Sequence, residues 1–381
     1  MRMKKLMILA VAAIALVACS RTFEHHATEG SPIGFGTWNE VLTKARATAN
    51  DDTAFEAGDV FDVFGYKTTA ANHIVFNGDD VAATVSGSTV TWDYTPHRFW
   101  DPAASSYTFF AVLPANILAA EANEGDYATT GLFTSNDITF DDPTAFDNDI
   151  LVADKEPVAG SGGAAPYSYT NPVQIKFNHV ASAVDLLVKQ DNKLGNAVVK
   201  VTALSLLNIS NKGHFTVSAY AASSPYVPTV AWTEAATPTY LGTSNEYVIL
   251  DSASDSDDVP VTGKTTYDSH AVDSNNGDPA ELFTDYVFMP QPLVADAQQI
   301  KLSYTIKVGD EDPNVYTDVI IDIRDFMTTD SDNNSAGSAI TAWAPKTHYI
   351  YTMTIGANVI EFTATVKDWA TTTNGYQYLL N

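Results

Sequence analysis

The sequence predicts an all-β protein built as two β-sandwich domains in tandem. Three observations carry this: short apolar and aromatic runs recur along the chain, clusters of Asn, Asp, Gly, Pro and Ser separate them, and segments with helical period are scarce. Short strands without alternating helices favour sandwiches over parallel α/β sheets. The roughly 360 residues beyond the leader fit two domains at about 100–200 residues each. Apolar residues make up 45% of the chain, with 18 Phe, 18 Tyr and 6 Trp, which is enough for real cores.

The first element is a leader. Arg2, Lys4 and Lys5 give a basic start, and Leu6 to Val17 form an apolar run shorter than the ~20 residues of a spanning helix. The chain's one cysteine follows at once, in Leu16-Val17-Ala18-Cys19, an order that resembles a bacterial lipobox. The expectation is a lipoprotein signal peptide over 1–18, with Cys19 acylated and first in the exported chain; a plain signal peptide cut near Ala18 is the other reading. With Cys19 consumed, no disulfide is possible and stability must come from burial.

Past the leader, Ser31 to Phe35 is extended with apolar residues two apart, and Trp38 to Arg46 is a short helical candidate. Strands follow at Val60–Tyr66, Thr89–Tyr94 and Ser106–Val112, with a second helical candidate at Ile117 to Glu124. The Gly-rich stretch Ala159 to Pro166 marks a linker, which puts the boundary near residue 170 unless it is a long loop within the first domain. Beyond it, strands are expected from Val173–Phe177 and Ala183–Lys189 through Ile300–Val308 and Tyr349–Ile355 to Val359–Val366. The organisation read from this is 19–46 ahead of the first domain, 47–170 as that domain and 171–381 as the second.

Charge and motifs then exclude function classes. A formal charge of −26, more negative once the leader is gone, repels phosphate backbones, so no nucleic-acid partner is expected. The sequence has no Gly-x-Ser-x-Gly elbow, no His-Glu-x-x-His, no phosphate loop and no cysteine nucleophile, so no enzyme is read from it. None of the eight histidines makes an i, i+4 pair; His179, beside Phe177 and Val180, reads as a core or edge residue. Asp330 to Asn334 spaces oxygens as calcium loops do but lacks the glycine and the distal glutamate, so neither metal nor cofactor is assigned. Trp100, Tyr226 and Trp232 read as core residues or as a sugar-stacking platform.

Ordered landmarks go further. They are the lipobox, Ser31 to Phe35, Thr43 to Thr48, Phe61 to Tyr66, Arg98-Phe99-Trp100, Asp149 to Ala153, Ile175 to Val184, Trp343-Ala344-Pro345, and Val366-Lys367-Asp368-Trp369. Their order and spacing resemble the fimbrillin family of Bacteroidales, the FimA-like and Mfa-like subunits of type V pili. The resemblance implies two transthyretin-like β-sandwiches and a structural subunit of a fimbrium. It implies a precursor held at the outer membrane by lipid on Cys19, and an arginine-specific protease that cuts after Arg46 so that the mature chain starts at Ala47. Arg21 and Lys44 offer other basic cuts. Cutting would release the strand carrying Ile33 and Phe35 and leave a groove with an open edge, ready to accept a strand from another copy or a related pilin. The candidate donor is the tail from Asp368, with Tyr376, Tyr378 and Leu380 on one face; the same tail reads equally as the last strand of its own domain. Repeated head to tail, such a contact builds a filament that supports adhesion to a host receptor. The alternative is a surface lipoprotein that binds host glycan or protein and never polymerises.

Overall fold

In the computed structural model the residues described are 31–37, 55, 57–69, 72–86, 89–145, 149–159, 172–194, 197–251, 280–329, 336–356 and 359–369. Over these the fold is all-β, with one five-residue α-helix and two short 3-10 turns.

The first half is organised by a seven-stranded sheet. Its order runs Phe177–His179, Leu151–Ala153, Ser106–Leu113, Val60–Thr68, Asn72–Ser86, Thr89–Asp93, with Glu156–Ala159 also paired to Ser106–Leu113. Strand period 2 puts Phe61, Val63, Tyr107 and Phe109 on one face, where they form a core with Phe76, Trp92 and Trp100. Phe64, Phe110 and Val112 point to the other face and belong to a different core. Strands buried on both faces read as continuous apolar runs, as Ser106–Leu113 does.

The second half is a two-sheet sandwich. One sheet runs Ala280–Phe288, Ser182–Gln190, Thr347–Ile355, Ile360–Asp368, Met327–Thr329, Ala336–Ala339; the other runs Glu246–Asp251, Val198–Leu207, Gln299–Lys307, Asn314–Asp322. Ser182–Gln190 lies parallel to Thr347–Ile355, with Val184 opposite Tyr349, Leu186 opposite Tyr351 and Val188 opposite Met353. All six side chains enter the core between the sheets. A three-stranded sheet of Pro228–Glu234, Lys212–Tyr220 and Ile138–Thr139 stands beside it. Its Phe215 and Val217 join Phe64, Phe110, Val180, Val287 and Trp369 in the third core, which locks the two halves together.

One expectation changes. Ile117 to Glu124 is not a helix: Leu118 pairs with Ser135, and the Ala119 N–H donates to Thr134 O at 2.8 Å. The helix is Asp126–Thr130, one turn later, because the Glu121 carboxylate accepts from the N–H groups of Gly125 and Tyr127 and so caps the helix start from outside. Gly131 ends it at φ 68°, where an added Cβ would strike the Phe110 ring. Trp38 to Arg46, Gly160 to Pro166 and Asp330 to Asn334 lie outside the described residues. On the far side of the expected boundary near 170, Val173, Ile175 and Phe177 still belong to the first core, and the chain enters the second sandwich only at Ser182.

Candidate functional site

The segment 31–37 closes the first core from above the seven-stranded sheet. One edge is antiparallel to 98–100: the Ile33 N–H donates to Arg98 O at 2.8 Å, the Trp100 N–H donates to Ser31 O at 2.9 Å, and Pro32, which has no N–H to give, bridges Phe99. The other edge is parallel to Val173–Ile175, with Phe35 opposite Val173 and Thr37 opposite Ile175, and the Val173 N–H donates to Gly34 O at 2.9 Å. Gly36 lies so close to this neighbour that an added Cβ would sit 3.0 Å from Gln174 Nε2.

Alternation sends Ile33 and Phe35 inward, leaving them 1% and 4% exposed. The Phe35 ring meets Phe61, Phe76 and Phe109 edge-on at centroid distances of 6.2, 5.4 and 5.7 Å, and Tyr94 at 5.7 Å. The Tyr94 hydroxyl donates to Ile33 O at 2.7 Å and accepts from the Arg98 N–H at 3.1 Å, clamping the strand to its wall. Burial pushes this phenol up to about 12, against the pull of the Arg98 hydrogen bond, so it is a neutral donor across the physiological range.

Outside the wall lies a cleft of about 440 Å³ lined by Lys67, Ile74, Asn77, Asp79, Arg98 and Phe99. Arg98 pairs with Asp79 at 2.9 Å and donates from Nε to Val75 O at 3.2 Å, which fixes the wall to the strand Asn72–Ser86. In the sheet beneath, Asp62 accepts from the Asn116 N–H at 2.8 Å. Burial, aided by Asp80, pushes its carboxyl up to about 6.

The C-terminal landmark meets the first half at the junction. His179 Nδ1 stands 2.7 Å from Asp149 Oδ1, and the imidazole stacks on the Trp369 indole at 4.0 Å and 5°. Nearby, Lys346 donates to Pro228 O at 2.7 Å, and burial pulls its ammonium down to about 8 despite Asp154. The three aromatics read as a possible sugar platform do not make one. Trp100 is packed inside the first core against Tyr107, half-buried Trp232 packs against the third core and donates to Val180 O at 2.6 Å, and half-buried Tyr226 lies under Lys155 at 6.0 Å. Each ring is held by core packing or a neighbouring side chain in a different place.

Of the residues singled out in sequence, Ile33 and Phe35 come together in this site. Cys19, Arg46, Ala47, Tyr376, Tyr378 and Leu380 lie outside the described residues. Sequence reasoning missed the joining of Asp149, His179 and Trp369, although each stands in a landmark; nothing in local pattern shows a contact across so many residues.

Comparison with known proteins gives three findings. A family model described as fimbrillin-like matches residues 45–369. No curated protein matches. Among solved structures, a candidate cell adhesion protein from Bacteroides uniformis is 14% identical at a TM-score of 0.46, over 91% of this chain and 100% of that one. A fimbrial protein from Bacteroides vulgatus is 18% identical at 0.43, over 90% and 100%. A C-terminally truncated tip fimbrial protein from Porphyromonas gingivalis is 12% identical at 0.36, over 82% and 95%.

Proposed function

The chain belongs to the fimbrillin-like family, and we propose that this fimbrial subunit polymerises by losing the strand 31–37 and accepting a strand from another copy or a related pilin in its place. The carrying observation is the burial of Ile33 and Phe35 between two walls, 98–100 and 173–175, that come from elsewhere in the chain. Removing the segment uncovers an apolar groove lined by Phe61, Phe76, Tyr94 and Phe109, with backbone donors and acceptors open on both sides. Such a groove is filled by an extended segment with apolar residues two apart. In this reading the units are 19–46, 47–170 and 171–381, the precursor is held at the outer membrane by lipid on Cys19, and an arginine-specific protease cuts between Arg46 and Ala47. Tyr376, Tyr378 and Leu380 supply the incoming face. The head-to-tail contact does not close on itself, so it yields a filament on the cell surface that serves adhesion.

The test is to treat the purified precursor with an arginine-specific protease and run it unboiled on a gel beside the Arg46→Ala variant. The expected result is a ladder of oligomers for the first and a monomer for the second. Cut protein that stays monomeric with its fold intact, or a ladder that forms equally well from Arg46→Ala, overturns the proposal.

A further inference from the structure

A second feature lies in the sheet that faces the third core, away from strand exchange. Asp185 and His348 stand on adjacent parallel strands, with His348 opposite Ala183, two residues from Asp185. On the other side of Ser182–Gln190, the strand Ala280–Phe288 is bulged: its register jumps between Val184 opposite Tyr286 and Leu186 opposite Phe283, so two residues face Asp185. One of them is Asp285, at φ 57°. The bulge turns Asp285 toward Asp185, and its N–H donates to Asp185 Oδ1 at 2.8 Å.

The result is a cluster from three neighbouring strands. The ligating atoms of Asp185, Asp285 and His348 all lie within 4.8 Å of one another, the one group of this kind among the described residues. Asp185 is 2% and His348 3% exposed, while Asp285 is half-buried and opens the cluster to solvent. His348 Nε2 and Asp185 Oδ1 stand 2.9 Å apart, close enough for both atoms to face one third centre. Formally, one imidazole offsets at most one of the two carboxylate charges, so the group is matched to a cation.

We propose that Asp185, Asp285 and His348 bind one divalent transition cation of the zinc class. Two carboxylate oxygens and one imidazole nitrogen suit such an ion, with solvent completing the shell on the Asp285 side, whereas calcium wants six to eight oxygens. Bonds of about 2.0–2.2 Å are reached by side-chain adjustments on the order of 1 Å. All three ligands sit on paired strands, so the site is built on a rigid frame. The ion ties Ala280–Phe288, Ser182–Gln190 and Thr347–Ile355 together, a cross-link that a chain with Cys19 as its single cysteine cannot obtain from a disulfide.

The experiment is calorimetric titration of the chelator-stripped full chain with Zn2+, with Tm read in parallel and Ca2+ as the comparison ion. One equivalent of Zn2+ is expected to bind and raise Tm, with no such effect from Ca2+. Asp285→Asn, half-buried and so able to fold, is expected to weaken Zn2+ binding by more than the roughly 10–100-fold that loss of an outer partner causes; His348→Gln is expected to act alike. Absence of Zn2+ binding, or uptake unchanged in Asp285→Asn, overturns the proposal.

Discussion

Phe35→Ala in the uncut chain is expected to free the strand 31–37 while the rest of the protein stays folded. Burying Ile33 and Phe35 contributes ~1.5–3 kcal/mol each. The hydrogen bonds Ile33 to Arg98, Trp100 to Ser31, Val173 to Gly34 and Tyr94 to Ile33 add about 1 kcal/mol each. Together these reach about 7–10 kcal/mol, against roughly 7–14 kcal/mol to order the seven residues at about 1–2 each. The strand is therefore held by a margin of a few kcal/mol at most, helped by the edge-on contacts of Phe35. Truncating a buried Phe to Ala removes about 3–5 kcal/mol, which exceeds that margin. Hydrogen exchange followed by mass spectrometry reads the outcome, because Ile33, Trp100 and Val173 donate the bonds that open. The expected pattern is lost protection at these three amides with protection kept over Ser182–Gln190. Retained protection at the three, or a uniform loss across both halves, would show that the strand is an inseparable part of the core and would remove the physical basis for strand exchange.

Asp62→Asn is expected to flatten stability between pH 4 and 7. The folded carboxyl is raised, so its contribution is full below the unfolded value near 4 and is lost as pH rises through about 6, a change of about 2–3 kcal/mol. Glu156, pushed up to about 7 by burial and Asp154, titrates in the same sense and remains in the variant. Tm measured across this range should therefore fall less steeply in Asp62→Asn, and superimposable profiles would contradict the assignment. His179→Ala removes one member of a buried pair and the ring stacked on Trp369, and a loss of about 3–5 kcal/mol in urea unfolding is expected; a loss below about 1 kcal/mol would show that the junction does not depend on it.

Much of the fold was legible because sheet burial writes itself into period 2. Ile33 and Phe35, two apart in an extended run, were readable as an inward face, and the apolar runs around Tyr107, Val184 and Tyr351 became strands where expected. The strand Asn72–Ser86 was not read: Asp79 and Asp80 break its apolar pattern, and a bulge at Gly78, with φ 80°, absorbs the break. The helix was misplaced because Glu121 acts as a cap from outside the element, a role that composition does not reveal. What the first strand pairs with was also hidden. Its walls, 98–100 and 173–175, lie on opposite sides of the first half in sequence, and no local signal ties them to residue 33. The Asp185, Asp285 and His348 cluster depends on a bulge and on two pairings that bring distant strands side by side.

The N-terminal sequence and mass of the protein recovered from the surface of the cells that make it, with an unboiled gel run beside them, decide between assembly and a stand-alone surface protein. Strand removal predicts a chain starting at Ala47 and a ladder of heat-labile oligomers. A lipidated chain starting at Cys19 and running only as a monomer would contradict it.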